Sequence, residues 1–223
     1  YEGCLYTQGA FNLAFAAGWA VLLAQENALR NGQVDCLIKL QQSYRDIMDL
    51  CWTLPLSALP PFEGVHAPYF TDWLTHSQYG DYWSRWSIEE NYACISIPCC
   101  HIGGWYDAFI KGTVKNFLGL KQKETGKQKL LVGPWWHMPW NPLVNSREQS
   151  TLSMGPNVVD DWQIRWFDWS LKGRSTGVLD SPVTVFQMGQ GWLDLDSWPP
   201  RECRSTSYFL HSRGRANSAW GDG

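Results

Sequence analysis

Two ionisable side chains in this sequence, Asp107 and His137, each follow a short apolar run that ends in glycine. Asp107 comes after Ile102-Gly103-Gly104, and His137, which lies thirty residues after Asp107, comes after Leu130-Leu131-Val132-Gly133. A histidine can accept and return a proton near neutral pH, and a carboxylate beside it holds the imidazole in one tautomer. The pair therefore indicates acid–base catalysis, although the same spacing also fits two polar residues that only cap their strands.

The segments around this pair predict a strand–helix–strand unit. The mostly apolar run Cys94–Ile102 suits a strand buried on both faces, and Lys129–Val132 is a second short strand. Between them, Phe109–Leu120 has the pattern of an amphipathic helix. Such a unit is parallel and right-handed, and ligands bind outside the carboxyl ends of its strands. Asp107 and His137 are therefore expected at one sheet edge, in the chain order of the second and third members of an α/β-hydrolase triad.

The rest of the chain predicts helices first and strands last. Before Ala93, the apolar spacing predicts helices at Phe11–Leu29, Val34–Cys51 and Tyr69–Tyr79. The large apolar residues of the first helix are expected to form its buried face, namely Phe11, Phe15, Trp19, Leu22 and Leu23. A later helix, capped by Asn157, is expected to end at Lys172-Gly173, and strands are expected at Val183–Met188 and Ser207–Leu210.

The composition argues against several kinds of partner. A net charge of −3 with 17% charged residues gives no electrostatic reason to expect a nucleic acid or a membrane. The seven cysteines are odd in number and lack the spacing of a disulfide framework, so reduced thiols are expected; the compartment stays open, with the cytoplasm favoured. The cluster of Cys94, Cys99, Cys100 and His101 lies in a strand-like run whose neighbours point to opposite faces. No metal and no cofactor are therefore expected.

Three motifs together carry a family resemblance. They are Gly103-Gly104-Trp105-Tyr106-Asp107-Ala108-Phe109, Val132-Gly133-Pro134-Trp135-Trp136-His137, and Tyr208-Phe209-Leu210 followed by Gly214-Arg215-Ala216-Asn217. With them the chain resembles the cocaine esterase (CocE/NonD) family of acyl hydrolases, which includes α-amino-acid ester hydrolases and X-prolyl dipeptidyl peptidases. The resemblance implies an α/β fold in three parts: a helical cap domain at 1–92, the C-terminal part of an α/β-hydrolase domain at 93–176, and the beginning of a β jelly-roll domain at 177–223.

The resemblance also implies roles for four residues. Asp107 and His137 match the aspartate and histidine of the family's Ser-Asp-His triad, Phe109 matches a residue that lines the acyl pocket, and Trp19 matches a cap tryptophan that packs on the substrate. The implied activity is cofactor-free hydrolysis of an ester, amide or peptide bond through an acyl-enzyme. The family's serine lies in a Gly-x-Ser-Tyr-x-Gly elbow before the cap. We expect that elbow, and the oxyanion-hole donors, upstream of these 223 residues, so that the isolated chain is inactive.

Alternatives to this interpretation concern the nucleophile, the function and the assembly. A thiol of Cys99 or Cys100 would have to reach His137 from within a buried strand, which is disfavoured. The chain could also be a non-catalytic, Trp-rich fragment or binding module derived from such a hydrolase. If half of the sheet is missing, another chain or an N-terminal segment has to cover the open strand edge, or the chain forms a homo-oligomer.

Overall fold

The structure, a computed structural model, describes residues 1–64, 67–123, 126–137, 158–216 and 219–221. A helical region, residues 1–94, precedes a four-stranded sheet with two helices. The elements run in the order β1 (Tyr6–Thr7), β2 (Ala10–Phe11), α1 (Leu13–Arg30), α2 (Val34–Arg45), α3 (Ile47–Leu50), α4 (Pro68–Thr75), α5 (Asp81–Ser84), β3 (Cys99–Gly104), α6 (Ile110–Lys123), β4 (Gln128–Gly133), α7 (Val158–Lys172), β5 (Val183–Gln187) and β6 (Gly191–Leu195). Among the helices of the described residues, none has the length and apolarity needed to cross a membrane.

Helix α1 is present as predicted, but its buried face differs from the prediction. The residues of α1 that are fully buried are small: Ala16, Ala17, Gly18, Ala20, Val21, Ala24 and Ala28. Trp19, which was expected on the buried face, is 49% exposed. The small side chains let α2 approach the α1 backbone closely, so the close contact is made by alanines and the large residues lie at its margins.

The other helices of this region are shorter than predicted. The predicted helix Val34–Cys51 is divided into α2 and α3, because Asp46 leaves helical geometry with φ −99° and ψ 29°. Helix α4 ends at Thr75, four residues before the predicted end at Tyr79. The expected helix cap at Asn157 lies outside the described residues, and α7 itself runs from Val158 to Lys172 as expected.

The predicted parallel strand–helix–strand unit is confirmed. Strands β3 and β4 pair in parallel from Cys99 opposite Gln128 to Gly104 opposite Gly133, with α6 between them in the chain. The first strand begins at Cys99 and not at Cys94, because Glu89–Cys94 forms a 3₁₀ helix. Pro98 has no backbone N–H and so cannot donate a hydrogen bond to a neighbouring strand, whereas the Cys99 N–H donates to the Lys127 carbonyl at 2.9 Å.

The strands that were assigned to a separate β domain extend this same sheet. Strand β5 pairs in parallel with β4, and β6 pairs antiparallel with β5, so the order is β3-β4-β5-β6. The sheet therefore continues past residue 177. Val183 and Val185 complete an apolar core with Leu130, Val132 and Phe117. The other predicted strand of that domain, Ser207–Leu210, is exposed and irregular.

The loops that follow β3 and β4 are joined by two backbone hydrogen bonds. The Trp105 N–H donates to the Gly133 carbonyl at 2.9 Å, and the Tyr106 N–H donates to the Trp135 carbonyl at 3.2 Å. Gly104 makes this approach possible, since a Cβ there would lie 1.9 Å from the Trp135 carbonyl oxygen. Only glycine fits at the end of β3.

We expect Gly104→Ala to lower the free energy of unfolding by about 3 kcal/mol, because the added methyl group has to separate the two loops. The matched control is Gly112→Ala in α6, where a Cβ meets nothing within 4 Å and the better helix propensity of alanine should add up to about 1 kcal/mol. Urea unfolding of the three chains measures both changes. Equal stability of Gly104→Ala and the wild type would contradict the close packing of these loops.

Lys129 at the start of β4 is a buried cation, with only 1% of its surface exposed. Its ammonium donates to the Ser181 carbonyl at 2.6 Å and to Thr184 Oγ1 at 2.7 Å, and lies 4.6 Å from the centre of the Trp162 ring. The Thr184 hydroxyl in turn donates to Asp194 at 2.5 Å. Burial lowers the pKa of Lys129 from 10.5 to about 8, with Asp194 opposing the shift. These bonds tie β4 to β5 and, through Thr184, to β6.

The lowered pKa of Lys129 predicts a pH-dependent stability. The folded chain binds fewer protons at this site than the unfolded chain between pH 8 and 10.5, so stability rises with pH in that window. Relative to Lys129→Met, the wild type should gain about 3 kcal/mol across it. Urea unfolding at successive pH values measures the difference, and Lys127→Met, at an exposed neighbouring position, should follow the wild type. A pH-independent difference between wild type and Lys129→Met would show that Lys129 titrates normally.

Candidate active site

The structure brings Asp107 and His137 together at the carboxyl ends of β3 and β4. Asp107 lies in the loop between β3 and α6, and His137 is the fourth residue after β4. The imidazole Nδ1 lies 3.1 Å from Asp107 Oδ2. A carboxylate only accepts, so Nδ1 carries the hydrogen of this bond, and Nε2 remains the basic nitrogen of the neutral ring.

The Asp107 carboxylate is held by the chain on both of its oxygens. Oδ1 accepts the Phe109 N–H at 2.8 Å, and Oδ2 faces the imidazole. The Asp107 N–H donates to the Gly104 carbonyl at 3.0 Å, which closes the turn after β3. The Asp107 side chain is 8% exposed, whereas that of His137 is 64% exposed. The arrangement is a fixed, buried carboxylate that presents an accessible base.

Phe109, the other residue expected near this pair, contacts His137 directly. The two rings meet edge to face with centroids 4.7 Å apart and planes at 71°. On its other side Phe109 meets Phe15 of α1, at 5.9 Å and 75°. Trp19 lies one helical turn beyond Phe15 on the same side of α1, and its half-exposed ring stands open to solvent.

A cavity of about 1120 Å³ adjoins Phe109 between the helical region and α6. Aromatic side chains of the helical region, including Trp73, Tyr82 and Trp83, form one wall, and Lys111 and Phe109 lie on the other. Neither Asp107 nor His137 lines it. Phe109 therefore separates this cavity from the Asp107–His137 pair.

Other candidate nucleophiles and bases are less suited to catalysis. Burial raises the pKa of the Cys100 thiol to about 12, and burial also raises the pKa of the Cys99 thiol, so neither forms a thiolate readily. The His101 Nε2 pairs with the Gln128 side chain at 2.9 Å, and burial lowers the pKa of His101. Within the described ranges, no group of three or more His, Cys, Asp or Glu side chains could hold a metal ion.

The expectation that the serine elbow lies upstream overlooked one serine motif within the chain. The pattern Gly-x-Ser-x-Gly does occur, at Gly173-Arg174-Ser175-Thr176-Gly177. A nucleophile elbow needs a strand before the serine and a helix after it, whereas this motif follows α7 and precedes β5. Since β5 is parallel to β4, the motif leads into the amino end of its strand, at the edge opposite to Asp107 and His137. Ser175 is therefore not placed to give its hydroxyl proton to His137.

Comparison with known proteins gives two findings. The X-Pro dipeptidyl-peptidase (S15 family) profile matches residues 1–139. The cocaine esterase of Rhodococcus sp. (strain MB1 Bresler) is 25% identical to the chain over an alignment of 225 residues, and the match covers 96% of this chain and 38% of that esterase. The chain thus spans well under half the length of this curated relative.

We expect two substitutions of Asp107 to show how much its hydrogen bond with the Phe109 N–H contributes to stability. Asp107→Ala removes the acceptor of the Phe109 N–H and should cost about 1–2 kcal/mol of unfolding free energy. Asp107→Asn keeps an acceptor oxygen for that bond and should cost less than about 1 kcal/mol. Urea unfolding distinguishes the two variants, and an equal loss in both would show that the turn does not depend on this hydrogen bond.

Proposed function

The chain belongs to the X-Pro dipeptidyl-peptidase (S15) family, which confirms its resemblance to the CocE/NonD hydrolases, and from this premise we propose that it supplies the aspartate and histidine of a serine acyl hydrolase. Family and relative both point to an esterase or peptidase. The observation that supports the assignment of the aspartate and histidine is the hydrogen bond between His137 Nδ1 and Asp107 Oδ2, at the ends of adjacent parallel strands. An oriented, accessible base is what a serine nucleophile requires.

In this mechanism, His137 Nε2 takes the proton of the serine hydroxyl as the oxygen attacks an ester or amide carbonyl. The same nitrogen then returns the proton to the leaving group and activates the water that hydrolyses the acyl-enzyme. Asp107 keeps the imidazole in the required tautomer and stabilises the imidazolium without taking the proton. Its fixed position, from the Phe109 N–H and the joined loops, suits this role.

The nucleophile, on this proposal, belongs to residues outside these 223. The Gly-x-Ser-x-Gly pattern at Gly173–Gly177 lies in a helix-to-strand loop, and the chain spans 38% of the length of the cocaine esterase. Strand β3 pairs with β4 alone in the described sheet, which leaves its other edge available to further strands of a hydrolase sheet. A segment of the same protein or another chain would supply both the strands and the serine.

We propose a three-part architecture for the chain. Residues 1–92 serve as a helical cap over the catalytic pair, and the hydrolase sheet includes β5 and β6, so that a jelly-roll domain would begin after Leu195 and not at 177. Phe109 and Trp19 line the substrate site, Phe109 against the imidazole and Trp19 from the exposed side of α1. The substrate class is an ester, amide or peptide with an apolar or aromatic acyl group, for which aromatic walls are suited.

A fluorophosphonate probe with intact-mass analysis tests this function. The 25.5 kDa chain alone should remain unlabelled, whereas the protein that also carries the residues upstream of Tyr1 should gain one adduct and hydrolyse an aryl ester. His137→Ala should abolish the adduct, and His211→Ala, at an exposed position outside the strands, should not.

Two outcomes would contradict the proposal. Labelling and ester hydrolysis by the isolated chain, lost in His137→Ala, would place the nucleophile within the 223 residues. The absence of an adduct on either protein would favour the alternative of a non-catalytic binding module.

A further inference from the structure

Three aromatic rings from different parts of the fold stand in an unbroken row. The edge of one ring meets the face of the next from Phe15 to Phe109, at 5.9 Å, and from Phe109 to the His137 imidazole, at 4.7 Å. The row starts in α1 of the helical region, passes through the loop before α6 and ends at His137, the fourth residue after β4. Aromatic pairs at such distances and angles attract one another.

His137 depends on this row for its orientation. Its side chain is 64% exposed, and the hydrogen bond to Asp107 fixes the position of Nδ1 but leaves the ring free to tilt about that bond. Phe109 touches the ring from the side and limits this tilt. The direction of Nε2 is therefore set by Asp107 and Phe109 together, and any shift of the Phe109 ring changes it.

Phe109 is in turn held from the helical region. Its backbone is fixed by the bond to Asp107, but its ring borders the 1120 Å³ cavity and would have room to turn there. Phe15 occupies the side towards α1 and is packed against the core of the helical region, which includes Ala16, Leu59 and Phe70. The position of the Phe109 ring thus follows the position of α1.

Two ion pairs attach the helical region to the same helix that follows Phe109. Lys111 pairs with Glu2 at 2.9 Å, and Lys115, one turn later on α6, pairs with Glu89 at 2.6 Å. Glu2 and Glu89 lie near the two ends of the helical region. Both pairs are partly exposed and individually weak, and they add to the contact between the helical region and α6.

We propose that Phe15 is a positioning residue, which acts through Phe109 to orient the His137 imidazole and so couples the placement of the helical region to the competence of the catalytic pair. The catalytic meaning of this coupling rests on the proposed function. Phe15 itself touches neither the imidazole nor the carboxylate in the contacts that the described residues make; its effect passes through one intervening ring.

The first test is a carbon–proton NMR spectrum of the histidine rings in the 223-residue chain. The five histidines give five Cε1–Hε1 signals, and His137→Gln identifies the one from His137. Phe15→Leu and Phe109→Leu should both displace this signal, whereas Phe15→Tyr, which keeps the ring, should restore the wild-type position. The matched control is Phe62→Leu, since Phe62 is packed in the same core but contacts Phe70 and not Phe109.

The second test is steady-state ester hydrolysis by the protein that carries the nucleophile. Phe15→Leu should lower kcat about threefold to tenfold, the factor that one edge-to-face ring contact can supply, with little change in KM. Phe15→Tyr should recover the wild-type kcat, and Phe62→Leu should keep it.

The inference is overturned if Phe15→Leu leaves the His137 signal in place, or if Phe62→Leu displaces it as far. An active enzyme whose kcat is unchanged by Phe15→Leu would also overturn it. If no variant and no wild type hydrolyses an ester, the proposed function fails and the catalytic role of Phe15 fails with it, while the NMR spectra still show whether the rings are coupled. These two kinds of failure are therefore distinguishable.

Discussion

The candidate site depends on the close approach of the two loops that follow β3 and β4. Two backbone hydrogen bonds, Trp105 N–H to Gly133 and Tyr106 N–H to Trp135, join them, and the missing side chain of Gly104 gives the Trp135 carbonyl its place. Asp107 and His137 are carried by these loops, so the backbone brings the two side chains within hydrogen-bonding distance of each other. Adjacent parallel strands thus bring residues that are far apart in the sequence together at one edge of the sheet.

Helix α6 extends this constraint to the helical region. It begins directly after Phe109, and its Lys111 and Lys115 pair with Glu2 and Glu89. The segment from Asp107 to Lys115 therefore carries the carboxylate, places an aromatic ring against the imidazole and forms two ion pairs with the helical region. The placement of the helical region and the geometry of the Asp107–His137 pair are consequently linked through one helix.

The sheet shows which features of a strand can be predicted from apolar runs and from the alternation of apolar and polar residues. The apolar run before Asp107 and the short strand before His137 predicted a parallel unit correctly, because two buried strands joined by a helix have few other arrangements. The alternation at Val183–Gln187 predicted a strand but not its sheet, since the pattern reports which face is buried and not against what. The Gly-x-Ser-x-Gly pattern at Gly173–Gly177 shows that a motif alone does not identify a nucleophile. An elbow needs a strand before the serine and a helix after it, and this motif has a helix before it and a strand after it.

The sequence by itself determined the family, the two strand ends and the residues, Asp107 and His137, that stand there, because glycine-terminated apolar runs and the order of the motifs are local properties of the chain. The tertiary structure alone decided that α1 packs through its alanines and leaves Trp19 half exposed, that β5 joins β4, and that Phe15 reaches Phe109. Those outcomes depend on contacts between residues distant in the chain, whose geometry is set by packing and leaves no periodic signal in the sequence.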